Sequence, residues 1–263
     1  MRALITGIAG FCGSHLAELL VARGAEVAGI ARKGSGHGNL RGVIDQVRIY
    51  EGDLRERQWL GPCLAEWEPD AIFHLAAATT VDSAGGLWEL YDANVHGTIN
   101  LLESVLSAGI DCVTHIACSS GEYGLATNVE RPLGELDSYK PLTHYAVSKA
   151  TQDLLGYYYG AANGLRIVRT RAFNVTGPRE TAKSVCSSLA KQIAEVELGI
   201  RPPIILVGNT TPRRDFIEQR ASPWASISIC PTCIPAGARS RSVAAKITRT
   251  YDSTSHEYLY QMG

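Results

Sequence analysis

The amino-acid sequence predicts an α/β fold in which helices cover both faces of a doubly wound parallel sheet. Residues 1–175 alternate short apolar runs of strand type with longer runs of helical apolar spacing. Glycines stand at the expected ends of three of these helices, at Gly24, Gly109 and Gly164. Strands that alternate with helices of this length are typical of βαβ units, and such units build parallel sheets.

The elements follow one another in a regular order. Short runs such as RALIT and AIFHLAA are rich in residues that favour strands, and they predict strands at 2–6, 26–31, 47–52, 71–77, 113–120 and 165–170. Apolar residues at intervals of three or four predict helices at 11–24, 55–68, 87–109 and 143–162. A further helix is predicted at 183–200 and a further strand at 203–209.

Composition and charge exclude several classes of function. The chain has 263 residues, 45% of them hydrophobic, so it can bury a sizeable core. Its formal net charge of −1 does not favour binding to nucleic acid or to an anionic membrane. No apolar run approaches the roughly 18 residues needed to span a bilayer. Seven scattered cysteines and a start that runs directly into a strand predict a cytoplasmic protein without a disulfide framework.

A glycine-rich turn follows the first predicted strand. Gly7, Gly10 and Gly13 lie between that strand and the first helix, in the segment ITGIAGFCGSHL. Glycines at such a turn let a pyrophosphate approach backbone N–H groups, and the helix N-terminus adds positive potential. The sequence therefore predicts a dinucleotide-binding turn.

Two later segments concern the adenosine end of such a cofactor. Arg32 and Lys33 follow the second strand, and no acid occupies residues 29–36. A cation there can bind a 2′-phosphate, which favours NADP(H) over NAD(H), but both residues can equally be solvated loop cations. Asp53 follows the third strand, where it can contact the adenine edge or cap the next helix.

A tyrosine and a lysine share one face of the helix predicted at 143–162. Tyr145 and Lys149 are four residues apart, so their side chains lie one turn above the other. An ammonium beside a phenol lowers the phenol pKa and favours proton transfer near neutral pH. By itself this spacing is also common on ordinary helix surfaces.

The segment HIACSSGEYG places Ser119 and Ser120 at the end of the strand that precedes this helix. A serine at the carboxyl edge of a strand can converge with a tyrosine and a lysine on the following helix. The segment is one of eight motifs in order along the chain: TGIAGFCGSHLAELL, GDL, FHLAA, ANVHGTINLLES, SSGEYG, YAVSKA, RAFNVTGP and RRDF. With them the chain resembles the extended short-chain dehydrogenase/reductase family, which includes the NDP-sugar epimerases, dehydratases and reductases.

The resemblance implies a set of site residues. Tyr145 would be the acid/base, Lys149 would hold the nicotinamide ribose, and Ser119 would hydrogen-bond the sugar oxygen. Asn94 would fix the active-site backbone or a water molecule. The implied cofactor-binding residues are Gly7, Gly10, Phe11, Cys12, Gly13, Arg32, Asp53, Leu54, Leu75, Ala76, Ala77, Asn94, Tyr145 and Lys149. The implied substrate-binding residues are Ser119, Ser120, Tyr145, Asn174 and Arg214.

Within the family, the segments at 188–209 and 213–216 are most similar to the GDP-sugar branch. The dehydratases of that branch carry a glutamate two residues before the tyrosine of the SSGEYG segment, where this chain has Gly121. Glu122 is shifted by one position, so its carboxylate is expected to point elsewhere. The resemblance therefore implies an NADP(H)-dependent reductase acting on the 4-keto group of a GDP-4-keto-6-deoxyhexose. A dehydratase or an epimerase that recycles its cofactor is the alternative.

The agreement with the family covers residues 1 to about 217. It implies an NAD(P)-binding Rossmann-like domain at 1–175 and a partial substrate-binding region at 176–217. Residues 218–263 match no family segment and are poor in aliphatic runs, so we expect a poorly ordered tail and an incomplete substrate site. A reading-frame slip or a truncated remnant is our hypothesis for this tail, and an inactive dinucleotide-binding protein is then a further alternative.

Two expectations concern partners and metals. Family members commonly dimerise through two long helices, which implies a homodimer built on 87–109 and 143–162, with Tyr157, Tyr158 and Tyr159 either at that interface or in the core. Cys230 and Cys233 form a lone C-x-x-C pair without spaced histidines, so no metal site is predicted. His74 is expected to be a hydrogen-bonded core histidine beside the cofactor site.

Overall fold

The computed structural model describes residues 1–79, 86–125, 131–209 and 214–219, together with the backbone of three strands near the C-terminus. The strands are β1 (Arg2–Thr6), β2 (Glu26–Ala31), β3 (Val47–Glu51), β4 (Ala71–His74), β5 (Val113–Ser119), β6 (Arg166–Ala172), β7 (Asn174–Thr176), β8 (Phe216–Glu218), β9 (Ser240–Val243), β10 (Ile247–Tyr251) and β11 (Tyr258–Met262). The helices are α1 (Phe11–Ala22), α2 (Leu60–Trp67), α3 (Gly86–Tyr91), α4 (Gly97–Ala108), α5 (His144–Asn163) and α6 (Val185–Glu197). A π-helical turn, Asp92–His96, joins α3 to α4.

In the described part of the chain, seven strands form one parallel sheet in the order β3-β2-β1-β4-β5-β6-β9. Alternate residues of β1 point to opposite faces, because successive side chains of a strand alternate. Ile5 packs in a cluster with Leu16 of α1, whereas Leu4 packs in a cluster with Leu64 and Leu101 of α2 and α4. Helices therefore cover both faces, and the predicted fold class is confirmed.

The sheet has its topological switch point at β1. The chain leaves β1 to build β2 and β3 on one side, and it then returns to build β4 on the other side. In open α/β sheets, ligands bind in the crevice outside the carboxyl ends of the strands at such a point. Thr6 and His74 end the two strands that border this crevice and are paired in the register of β1 and β4.

The helix that carries Tyr145 has well-defined ends. Thr143 is its N-cap, and the Thr143 hydroxyl accepts a hydrogen bond from the amide of Ala146 (3.1 Å). Gly164 follows its last residue with a left-handed φ of +75°, a conformation that suits glycine. The stop predicted at Gly164 is therefore confirmed, and the helix starts one residue later than predicted.

The prediction of a strand at 203–209 is wrong, because this segment has no regular structure. The side-chain amide of Gln192 on α6 replaces a neighbouring strand. Its Oε1 accepts from the amide of Leu206 (2.8 Å), and its Nε2 donates to the carbonyl of the same residue (3.1 Å). Ile204, Leu206 and Val207 are exposed, so the apolar pattern here does not mark a buried strand.

The C-terminal tail contains regular backbone that the sequence did not predict. β9 pairs in parallel with the edge of β6, and β10 and β11 form an antiparallel pair. An edge strand offers unpaired N–H and C=O groups, and pairing with it needs no aliphatic pattern in the added strand. Residues 220–239, which include Cys230 and Cys233, lie outside the described residues.

Candidate active site

The glycine turn after β1 is tightly packed against the loop that follows β4. Gly7 has φ +71°, and a Cβ built there would lie 3.0 Å from the backbone N and Cα of Ala76. A Cβ at Gly13 would lie 2.2 Å from the carbonyl oxygen of Gly7. Among the described residues, no side chain caps α1, whose N-cap is Gly10. This arrangement fits a pyrophosphate at the start of α1.

A cavity of about 290 Å³ lies beyond the carboxyl ends of β1 to β4. Its lining includes many of the residues that the sequence assigns to the cofactor: Gly7, Gly10, Arg32, Asp53, Leu54, Leu75, Ala76 and Ala77. Phe11, Cys12 and Gly13 follow in the first turn of α1. A larger cavity of about 550 Å³ lies between α2 and α4, and its lining contains none of the predicted site residues.

Asp53 neither caps the next helix nor presents a free carboxylate to the cavity. Its Oδ1 accepts from the backbone amide (2.9 Å) and from Nε (3.0 Å) of Arg55, and its Oδ2 accepts from Nη2 of the same residue (2.6 Å). These hydrogen bonds lower the pKa of Asp53. The N-cap of the following 3₁₀ turn is Glu56, so the capping alternative is wrong.

Arg32 lies at the rim of the cavity, together with Ser35. Its side chain is 69% exposed, and its Nη1 is 3.9 Å from Oε1 of Glu89. An exposed guanidinium beside a serine hydroxyl can bind a phosphate in a fork.

Ser119, Tyr145 and Lys149 meet at the carboxyl end of β5. Ser119 ends the strand, and its hydroxyl lies near enough to the phenol of Tyr145, at the start of α5, to lower the pKa of that phenol. One turn later, Lys149 is buried, and its Nζ lies 5.9 Å from the centroid of the Tyr145 ring. The fold therefore brings together the three residues implied as catalytic.

The expectation of a lowered pKa for Tyr145 is wrong. Burial raises the pKa of Tyr145 to about 12, although the neighbouring Ser119 hydroxyl lowers it. Lys149 is itself desolvated, which lowers its own pKa, and its Nζ donates to the carbonyl of Ala117 (2.8 Å). Desolvation disfavours the phenolate, so the phenol of Tyr145 keeps its proton near neutral pH in this arrangement.

Asn94 links the cavity wall to α5 through hydrogen bonds. It is fully buried in the π-helical turn, and it exchanges two hydrogen bonds with the backbone of Ala78, at 2.7 Å and 3.0 Å. Its Nδ2 also donates to Oγ of Ser148 (2.9 Å), and that hydroxyl donates to the carbonyl of Tyr145 (2.8 Å). Asn94 therefore contacts the backbone of Ala78 directly and that of Tyr145 through Ser148, in keeping with the expectation that it fixes the backbone of the site.

His74 lies behind this cavity wall, in a network of buried hydrogen bonds. The amide of Ala76 donates to Oγ1 of Thr6 (3.1 Å), and Oγ1 of Thr98 donates to the carbonyl of Asn94 (2.6 Å). Nδ1 of His74 lies 2.8 Å from Oγ1 of Thr6, and its Nε2 lies 2.8 Å from Oγ1 of Thr98 and 3.2 Å from Nε2 of Gln152. Burial lowers the pKa of His74 to about 3, which favours the neutral ring. The expectation of a hydrogen-bonded core histidine is confirmed.

The residues implied for the sugar diphosphate lie on the small β7–β8 sheet, which begins two residues after the partner of Ser119 in β6. Asn174 opens β7, and its Nδ2 donates to the carbonyl of Asp215 (2.7 Å). Arg214 is exposed and lies two residues before β8, whose first residue pairs with Asn174. Both residues therefore lie at the same end of this sheet. Ser120, also implied for the substrate, opens the 3₁₀ turn after Ser119.

Sequence reasoning missed a buried ionic cluster behind Ser119. Asp153 accepts from Nε of Arg171 (2.9 Å) and from the hydroxyl of Tyr139 (2.7 Å), and it also pairs with Arg169. Arg171 further donates to the hydroxyl of Tyr123 (3.0 Å). The signal was present in the strand RIVRTRA, whose alternate arginines need buried partners if they point inwards.

The family follows from comparison with known proteins. A family model described as GDP-mannose 4,6 dehydratase matches residues 4–221. The chain belongs to this family. The match ends close to residue 217, where the motif agreement ends, and the resemblance to the NDP-sugar epimerases, dehydratases and reductases is confirmed.

Relatives and solved structures extend this family assignment. GDP-6-deoxy-D-mannose reductase of Pseudomonas aeruginosa is 32% identical over 219 residues, which are 82% of this chain and 66% of that protein. UDP-glucose 4-epimerase of Rhizobium meliloti is 35% identical over 175 residues, 66% of this chain and 52% of that protein. The structure of DesIV, a dTDP-glucose 4,6-dehydratase from Streptomyces venezuelae with NAD bound, matches with a TM-score of 0.78 and 26% identity over 93% of this chain and 76% of that one.

The chain thus spans less than two thirds of the length of these two curated relatives. Among its described helices, none has the length and apolar character that crossing a bilayer requires.

Proposed function

We propose that the chain is an NADP(H)-dependent reductase of the 4-keto group of a GDP-4-keto-6-deoxyhexose. The observation that carries the proposal is the meeting of Ser119, at the end of β5, with Tyr145 and Lys149 of α5 beside the crevice. A ketone reduction needs a proton donor beside the carbonyl oxygen and no further carboxylate.

The cavity and the glycine turn would hold the cofactor. Its pyrophosphate fits the first turn of α1, and its adenosine end fits the cavity beside Arg32 and Asp53. Lys149 uses one N–H on Ala117, and its two remaining N–H groups are available for the nicotinamide ribose. When bound, the cofactor supplies the hydride for C4 of the sugar.

Tyr145 would donate its phenolic proton to the C4 oxygen, and the Ser119 hydroxyl would hold that oxygen beside it. The reduction is then balanced, because C4 gains a hydride and its oxygen gains the proton. Because Gly121 has no side chain, the position that carries a glutamate in the resembling dehydratases offers no base for C5. Glu122 is fully buried, which also disfavours elimination chemistry.

The GDP preference is proposed from similarity to the Pseudomonas reductase and from the family model. Arg214 and Asn174, at one end of the β7–β8 sheet, would contact the sugar diphosphate. A guanidinium suits this task because it binds phosphate oxygens in a fork.

Loss of NADPH absorbance with GDP-4-keto-6-deoxymannose tests this function directly. We expect turnover by the wild type, with NADPH preferred over NADH, and a loss of roughly 100-fold or more in Tyr145→Phe. Turnover that persists in Tyr145→Phe would overturn the assignment of the proton donor. No turnover of this ketone, together with conversion of GDP-mannose or a UDP-hexose, would overturn the assignment as a reductase.

A recycling epimerase or dehydratase is the second candidate, since the Rhizobium relative is a UDP-glucose 4-epimerase. Such enzymes regenerate their cofactor and would retain it through purification. A purified protein that carries stoichiometric dinucleotide would favour this candidate, whereas a cofactor-free protein favours the reductase.

A third candidate is a dinucleotide-binding protein without catalysis, since the chain spans only 66% of the reductase. A thermal melt separates it from the enzymes. A ligand at a hundred times its dissociation constant stabilises the folded state by about 2.7 kcal/mol. Stabilisation by NADP⁺ that GDP does not increase would favour the binding protein.

We also propose that the chain forms a homodimer through α5. Val147, Leu154 and Tyr158 lie on one face of this helix and are 36–54% exposed. Tyr159, in contrast, is buried and donates to Oε1 of Glu103 (2.6 Å), so it belongs to the core. A second copy of the same face would cover the exposed apolar residues.

A further inference from the structure

Glu122 lies directly behind the catalytic serine. It is the third residue of the 3₁₀ turn Ser120–Tyr123, and its side chain is fully buried. Its Oε1 accepts from the backbone amide of Ser119 (2.8 Å), while Oγ of Ser119 accepts from the amide of Gly121 (3.1 Å). These reciprocal hydrogen bonds form a capping box, which fixes the main chain where β5 ends.

Glu122 also contributes charge to the buried cluster, because Asp153 is shared between Arg169 and Arg171. The hydrogen bonds of Arg171, however, go to the carboxylate of Asp153 and to the hydroxyls of Tyr123 and Tyr139. Oε2 of Glu122 lies 3.4 Å from Nε of Arg171 but makes no hydrogen bond with any described residue. Among the described residues, Glu122 therefore accepts a hydrogen bond through Oε1 alone, from the backbone amide of Ser119.

The surroundings make Glu122 an unfavourable residue for stability alone. The charged and titratable groups that face it are Asp153, Lys149 and Tyr145 from α5, Arg171 from β6, Cys118 from β5, and Tyr123 and Tyr139. Burial dominates over these neighbours and raises the pKa of Glu122 to about 7. Burying a carboxyl group with an oxygen that accepts no hydrogen bond is costly, and the ion pair with Arg171 offsets only part of that cost.

We propose that Glu122 is a positioning residue, which holds the backbone of Ser119 so that its hydroxyl meets the phenol of Tyr145. This inference rests on the proposed function, because it assigns Ser119 and Tyr145 to the same reaction. The hydrogen bond through Oε1 survives protonation of Glu122, since a proton on Oε2 leaves Oε1 as an acceptor.

Two substitutions of matched length test this. Glu122→Gln keeps an acceptor for the Ser119 amide, whereas Glu122→Met keeps the length and removes the acceptor. We expect kcat within about threefold of wild type for Glu122→Gln and a loss of roughly 10- to 100-fold for Glu122→Met, because small misplacements of reacting groups are costly. We expect an unchanged KM for the cofactor in both variants. Both substitutions remove the charge that faces Arg171, so we expect similar melting temperatures for the two variants, and a folding defect would not explain the difference in kcat between them.

The same substitutions in a Ser119→Ala background show whether Glu122 acts through Ser119. If it does, Glu122→Met lowers kcat no further in that background. An equal loss of kcat with and without Ser119 overturns the proposal. A Glu122→Met variant with wild-type kcat, or a Glu122→Gln variant as slow as Glu122→Met, also overturns it.

Amide hydrogen exchange at Ser119 needs no substrate, so it separates this proposal from a failure of the proposed function. We expect exchange at Ser119 to be about tenfold or more faster in Glu122→Met than in Glu122→Gln. Equal exchange in the two variants overturns the positioning of Ser119, whatever reaction the protein performs. Faster exchange in Glu122→Met without any reductase activity would support the positioning and overturn only the proposed substrate.

Discussion

Lys149 donates to the carbonyl of Ala117 at 2.8 Å, while its Nζ remains 5.9 Å from the ring centroid of Tyr145. The ammonium thus binds the main chain of β5. Within the described part of the chain, it makes no hydrogen bond with the phenolic oxygen of Tyr145. Burial, which raises the pKa of Tyr145 to about 12, then decides its protonation state.

The first prediction follows for the titration of Tyr145. Its phenol ionises only at alkaline pH, since desolvation disfavours the phenolate. The difference in tyrosinate absorbance between wild type and Tyr145→Phe should therefore show no inflection below about pH 10. Circular dichroism of both proteins serves as the control for folding. An inflection near neutral pH would contradict the pKa that the structure indicates.

Protonation of His74 at acidic pH should lower the stability of the folded state. Its folded pKa of about 3 lies below the ordinary value of 6.5, so the unfolded chain binds its proton first as the pH falls. Stability is therefore present above about pH 6.5 and is lost below it, by roughly 1.4 kcal/mol per pH unit for one histidine. Urea unfolding across this range should show a slope that is shallower by that amount in His74→Gln. The exposed His96→Gln is the matched control, and an unchanged slope in His74→Gln would refute the prediction.

Arg32 should determine the choice between the two dinucleotides. Removal of a guanidinium that binds the 2′-phosphate is expected to lower kcat/KM for NADPH by roughly 10- to 100-fold in Arg32→Ala and to leave NADH nearly unaffected. Steady-state kinetics with both cofactors measure this ratio. Lys33→Ala, one position away, is the control and should change it less. Equal losses with NADPH and NADH would argue against a 2′-phosphate at Arg32.

Leu154 should report on the dimer. It is 54% exposed at the centre of the apolar face of α5, so an arginine there would bury a charge in the interface. We expect Leu154→Arg to be monomeric by light scattering at concentrations where the wild type is dimeric. Val185→Arg, at a similarly exposed apolar residue of α6, is the control and should leave the dimer intact. A wild-type protein that is monomeric would refute the proposed interface.

The sequence predicted β1, β2, β4 and β5 because most of their side chains are buried on both faces and therefore form apolar runs. The same pattern misled at 203–209, where Gln192 satisfies the backbone of Leu206 and no neighbouring strand is needed. β7 and β8 have three residues each, which is too few for a periodic signal. β9 depends on the edge of β6, a partner that no local pattern can indicate.

For the site, spacing and motifs predicted which residues meet, because Tyr145 and Lys149 share a helix face and Ser119 ends a strand. Spacing did not predict their energetics. The pKa of Tyr145 depends on burial by residues distant in the sequence. The carboxylate of Asp53 binds the side chain of Arg55 in a local turn, and the motif does not predict that contact. The shifted position of Glu122 was visible, but its contact with the Ser119 amide required the coordinates.

The strand order also describes how the sheet can grow during synthesis. β2 and β3 add successively to one edge of β1, and β4, β5 and β6 then add successively to the other. Each new strand therefore meets an open edge as it leaves the ribosome, and none has to be inserted between two strands that are already paired. The nascent chain can consequently assemble the cofactor crevice between β1 and β4 before α5 and its tyrosine have been made.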